Sequence, residues 1–234
     1  MLQGISNCLS GVTKLEPVLV LHLPQRGTNA KIDIAVQKKR AAPLYEGISG
    51  MSTIARISLD QYELMARHGI FDGQHHQRVE LIRGEIREMN PIGIEHAMVV
   101  NYLNDWSMRS LPAERAWVSI QNPIRAPRLE SAPEPDIAWI ERKGYTRHPL
   151  PEDVLLLIEV ADSTLNYDCG EKANLYAEAG IADYWVVDCA GKQITVMRNP
   201  IDGAYREVNS YRDNDDVRPL HFSEISLQPL QLFH

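Results

Sequence analysis

Apolar residues recur along the chain with two distinct periods, and the switches between them mark out its elements. In "ISLDQYELMARHG", Leu59, Tyr62, Leu64 and Met65 follow a helical spacing, and Ser58 stands where a helix prefers an N-terminal cap. "RVELIRGEIREM" then alternates in two short runs around Arg83-Gly84, which predicts a β-hairpin with a two-residue turn. "IEHAMVVNYLNDWSM" returns to helical spacing through His96, Val99, Val100, Leu103 and Trp106. Strands are predicted next in "AWVSIQNPI", "PDIAWI" and "VLLLIEV", followed by a helix in "GEKANLYAEAG" that ends on Gly180, a residue suited to a helix C-terminus. "DYWVVD" and "QITVMR" form a predicted hairpin through "CAGK", and "AYREV" adds a last strand. Central strands apolar on both faces require helices on both sides, so the pattern predicts an α/β fold with a mixed sheet.

Composition changes this picture little. At 44% hydrophobic and 24% charged residues, the chain matches ordinary globular proteins, and no apolar run approaches the roughly 20 residues of a membrane span. Cys8, Cys169 and Cys189 show neither a CxxC pair nor zinc-ligand spacing, which suits a reducing cytoplasm. Residues 1–50 lack sustained periodicity and carry six basic against three acidic residues. They read as a loosely ordered extension or a misassigned start, without the features of a signal peptide, ahead of a domain over residues 51–234. A net charge of -7 weighs against a non-specific DNA coat, though a cation-binding active site must itself be acidic.

Two charged residues sit where apolar ones belong. Strand alternation places Glu159 on the same face as Leu155 and Leu157, and helical spacing places Lys172 on one stripe with Leu175, Tyr176 and Ala179. Glu159 alone is explained equally well by a strand end reaching water, and Lys172 by a side chain extending to solvent. Paired, they would avoid a desolvation cost of several kcal/mol per ion. Asp136, following Pro135 at the start of "PDIAWI", adds a second carboxylate at comparable height if the two strands pair. Two carboxylates plus waters suit Mg²⁺, with Mn²⁺ as an alternative, and a nearby lysine can stabilise charge that develops on a phosphoryl group.

Other polar residues have simpler explanations at this stage. Asp168 and Glu171 show capping-box spacing, His96 is expected to be a satisfied core histidine, and Glu85 belongs to the turn. Asp162, Ser163 and Thr164 could edge a phosphate pocket or bond locally, while Tyr184 and Trp185 are expected in the core. Arg83, Arg87, Arg125, Arg128, Arg142, Lys143 and Arg147, in turns and strand ends, are candidate DNA contacts or scattered solvated charges.

The ordered set "VELIRGEI", "GIEHA", "EPDIAWI", "LLLIEVADST" and "YDCGEKANLYAEAGIADYWVVD" resembles the Uma-two family of restriction-endonuclease-like proteins, formerly a domain of unknown function. The resemblance runs from about Ser58 to "LQPLQLF" near the C-terminus. It implies a PD-(D/E)XK-type fold, a restriction-endonuclease-like mixed β-sheet core flanked by α-helices, and Mg²⁺-dependent cleavage of DNA. Asp136 and Glu159 would be the metal-binding acids, assisted by Glu80. That superfamily expects a lysine two residues after the second acid, where this chain has Ala161, so Lys172 on the next helix takes the matching role. A homodimer is expected of nucleases that cut both strands. The alternatives are a catalytically inactive nuclease-fold protein that binds DNA or a partner, and a metal-free hydrolase using Asp136 and Glu159 as acid and base.

Overall fold

The computed structural model describes residues 53–72 and 78–233, so the expected N-terminal extension, residues 1–50, lies outside the described residues. Helix α1 (Leu59–Arg67) starts where the sequence places it. The Ser58 hydroxyl accepts the Gln61 amide at 3.2 Å, and the Gln61 side chain accepts the Ser58 amide at 2.8 Å, which together satisfy donors that a helix start leaves open. Strands β1 (Val79–Ile82) and β2 (Glu85–Glu88) form the predicted hairpin, with Val79 opposite Glu88 and Ile82 opposite Glu85. Both turn residues are left-handed, Arg83 at φ 51° and Gly84 at φ 77°, the geometry that matches the natural twist of paired strands. Any side chain at Gly84 would also press to 2.9 Å from the Ile57 carbonyl.

After helix α2 (Ile94–Ser110) the chain builds one six-stranded sheet. Its strands are β3 (Ala116–Ile120), β4 (Ile137–Glu141), β5 (Val154–Ala161), β6 (Asp183–Asp188), β7 (Gln193–Ile201) and β8 (Ala204–Arg212), lying side by side in chain order. All neighbours are antiparallel except β5 and β6, which are parallel. A parallel pair needs a crossover, and here it is a helical segment running from α3 (Leu165–Tyr167) through a π-helical stretch (Asp168–Lys172) into α4 (Ala173–Ala179).

Strand β5 is buried on both faces, as its apolar run predicts. Leu156, Ile158 and Val160 point toward α2, into a core with Trp139, Trp185 and Phe222. Leu157 and Ala161 point the other way and pack with Ala173, Tyr176 and Tyr184. A third cluster joins α1 to the hairpin through Leu59, Tyr62, Leu81 and Ala132. The expected mixed sheet with flanking helices is therefore present, and Tyr184 and Trp185 are core residues with no exposed surface.

Candidate active site

Antiparallel pairing sets Ile137 of β4 opposite Ile158 of β5, so the residues just beyond, Asp136 and Glu159, end up side by side. Their contacts are reciprocal. The Asp136 amide donates to Glu159 Oε2 at 3.3 Å, and the Val160 amide donates to Asp136 Oδ2 at 2.9 Å. From the helix opposite, Lys172 and Tyr176 lie one turn apart and reach the same oxygen, Glu159 Oε1, at 2.9 Å and 2.7 Å. Lys172 Nζ also lies 3.4 Å from Glu80 Oε2, whose strand β1 forms the third wall. Asp136, Glu159, Lys172 and Glu80 thus line one cleft of about 390 Å³, together with Asp162, Ser163 and Thr164.

Glu80 is fixed by two further donors, the Glu134 amide at 3.2 Å and the Tyr167 hydroxyl at 3.3 Å. Although it belongs to a short hairpin, only 3% of it is exposed. Leu81, the next residue of the strand, exchanges backbone hydrogen bonds with Ala132.

Two sequence expectations are corrected. His96 is not a satisfied core histidine: it lies in the first turn of α2, where the helix leaves the core, and its Nε2 sits 3.1 Å from Asp136 Oδ2. Its Nδ1 is buried and has no hydrogen-bond partner. Asp168 and Glu171 do not form a capping box, because the helical segment already begins at Leu165 and puts both residues inside it. Asp168 is instead a buried wall of the cleft that accepts the Thr164 hydroxyl at 2.5 Å, and Glu171 pairs with Arg87 at 2.6 Å. Tyr176 was legible in the sequence only as part of the apolar stripe, since nothing in its spacing reveals where a hydroxyl points, and nothing in the sequence singled out Tyr167.

The electrostatics of the cleft follow from four buried carboxylates, Glu80, Asp136, Glu159 and Asp168, set around one buried ammonium. The Glu159 pKa is pushed up to about 8 by burial, with Asp136, Asp168 and Glu80 adding to the rise and Lys172 opposing it. Burial works against the Lys172 charge, but Glu159, Glu80 and Asp168 outweigh it and hold the lysine pKa above its ordinary value. Asp136 differs: burial would raise it, yet the His96 hydrogen bond, the Val160 amide and Gln121 keep it below the usual carboxylate range. The same contact with Asp136 raises His96, against burial. One carboxylate is therefore held ionised while its neighbour is strained toward protonation.

This donor set fits a hard divalent cation. Among the described residues no three His, Cys, Asp or Glu side chains converge tightly enough to chelate a metal unaided. Mg²⁺ does not need that, since it keeps several waters and uses one or two carboxylates plus substrate phosphate. The surplus of buried negative charge is what such an ion would neutralise, and Asp136 and Glu159 are the adjacent pair that would hold it.

Of the candidate DNA contacts, Arg83 is paired to Glu178, Arg87 to Glu171 and Glu85, Arg125 to Glu63 and Asp60, and Lys143 to Asp153 and Glu141. Arg128, Arg142 and Arg147 make no ion pair among the described residues.

A family model named Uma2 and described as putative restriction endonuclease matches residues 59–230. No curated protein matches the chain. Among solved structures, the chain is similar to the crystal structure of a putative nuclease belonging to DUF820 from Anabaena variabilis, with a TM-score of 0.59 and 15% sequence identity. That likeness covers 76% of this chain and 97% of the other, and at this identity it speaks for the fold.

Proposed function

The chain belongs to the Uma2 family, and from that premise we propose that it hydrolyses DNA phosphodiester bonds with a divalent cation, Mg²⁺ or Mn²⁺. The observation that carries this reading is the meeting of Asp136, Glu159 and Lys172, from two strands and a helix, in one cleft.

A bound cation supplies Lewis acidity toward the phosphoryl oxygen and acidifies a water. Asp136 and Glu159 would hold it, with Glu80 at the far side. Lys172 has three N–H donors. Glu159 takes one and Glu80 lies at ion-pair distance, which leaves a donor for a phosphate oxygen, where a fixed positive charge is most effective as negative charge develops. His96 keeps Asp136 ionised and turned toward the cleft, and Tyr176 prevents Glu159 from rotating away.

One observation favours a second reading. Both oxygens of Glu159 already have partners within the protein, as they would in a nuclease fold that has kept its ion pair and only binds DNA or another partner. Calorimetric titration with Mn²⁺ separates the two. Binding that disappears in Asp136→Ala and Glu159→Ala, alongside chelator-sensitive cleavage of plasmid DNA that also disappears in Lys172→Ala, is the expected result. A folded wild-type chain that takes up no Mn²⁺ would leave only the binding protein.

A further inference from the structure

A second depression, about 690 Å³ in volume, lies between α1, the outer strand β3 and the loop that joins β4 to β5. It shares a wall with the cleft. Glu134 lines it, while the Glu134 amide is held by Glu80 and its carboxylate by Arg78, both residues of the cleft.

Its lining combines two features that rarely coincide by chance. First, Trp117 is 38% exposed on an edge strand, with the Tyr145 ring 6.0 Å away. Trp139 and Trp185 are completely buried by comparison, and only the Arg142 guanidinium lies over the open Trp117 ring, 5.4 Å from its centre. Second, the acids in the wall are already engaged, Glu63 by Arg125 at 2.6 Å and Glu134 by Arg78 at 3.0 Å. Arg67 and Arg147, both exposed, line the groove and have no carboxylate partner among the described residues, whereas Arg142 lies outside the lining and donates to the Ala113 carbonyl. Although the whole chain is acidic, the charge available here to a visitor is positive.

Aromatic faces interleaved with free arginines suit a polyanion that carries exposed aromatic rings. We infer that this groove binds a single-stranded nucleic-acid segment, its bases stacked against Trp117 and Tyr145 and its phosphates held by Arg67 and Arg147. The inference rests on the nuclease reading and extends it: a strand engaged in the cleft would continue over the shared wall. A duplex fits poorly, since its base faces are hidden. A peptide added to the β3 edge would have no need of two unpaired arginines.

The test uses the full chain in chelator, so that cleavage plays no part, with a fluorescein-labelled oligo-dT probe whose anisotropy is the readout. Binding is expected to saturate and to weaken about tenfold in Trp117→Ala, the scale of one lost base stack. Arg147→Gln should lower the slope of log affinity against log salt by about 0.7, the share of one phosphate on a single strand. Absence of binding, wild-type affinity in Trp117→Ala, an unchanged salt slope in Arg147→Gln, tighter binding of a blunt duplex, or displacement by an uncharged extended peptide would each overturn the inference. Metal-dependent cleavage without oligo-dT binding would reject this site alone, and oligo-dT binding without cleavage would reject only the catalytic reading.

Discussion

On one face of β5, Leu156, Ile158 and Val160 pack into a core where Trp106 stacks on Trp139 at 5.2 Å and Phe222 meets Trp139 edge-on at 5.7 Å. On the other face, Leu157 and Ala161 flank Glu159, which is as deeply buried as they are and is held by Lys172 and Tyr176. The first face needs only shape, because apolar burial is favourable without direction. The second needs every donor to be in place, because each desolvated ion costs several kcal/mol unless it is paired. A buried ion pair is seldom the most stable filling for such a space, so its presence on one face of an otherwise apolar strand speaks for chemistry rather than stability.

The largest effect is expected on the apolar face. Trp139→Ala should lower unfolding free energy by about 3–5 kcal/mol in urea titrations, leaving a cavity that no neighbour can fill. Lys172→Met should cost somewhat less, about 3 kcal/mol, because Glu159 can take up a proton once its partner is gone. The double variant Glu159→Leu with Lys172→Met should recover most of that loss in a double-mutant cycle while binding no Mn²⁺. If the double variant were as unstable as Lys172→Met, the contrast between the faces would be wrong.

A smaller effect should appear in pH dependence. A carboxyl whose pKa rises on folding binds a proton that the unfolded chain has already released. For Glu159 this occurs between about 4.5 and about 8, so its contribution is most favourable at low pH and is lost as pH rises through that window. Glu159→Gln should flatten that part of the stability profile, measured as urea midpoints in metal-free buffer. Smallest of all, Tyr176→Phe should cost about 1 kcal/mol, one hydrogen bond, and leave Mn²⁺ uptake in place.

The polar face was partly legible in the sequence. Period-two alternation located Glu159, and the three-and-four spacing of Lys172, Leu175 and Tyr176 turned the lysine toward it, because both rules depend only on backbone geometry. Asp136 could be placed because Pro135 marks a strand start. The sequence did not reveal contacts set by tertiary packing. His96 looked like one more residue of an apolar stripe, and only the position of β4 beneath the first turn of α2 gives it Asp136 as a partner. Asp168 matched a capping pattern that real helix starts also show; the helical turn before it, Leu165–Tyr167, carries no apolar repeat of its own and is built by packing.

The π-helical stretch from Asp168 to Lys172 fits one residue more than an ordinary helix would into the same advance. Excising Gly170, whose missing side chain touches nothing, would return the segment to regular winding and rotate everything upstream by about 100° about its axis. Tyr167 would swing off Glu80 and Thr164 off its place beside the cleft, while Lys172 and Tyr176, downstream, kept their grip on Glu159. The crossover therefore behaves as two rotors joined by a wide coil, one registered to the hairpin and one to the sheet, and the extra residue keeps both in phase.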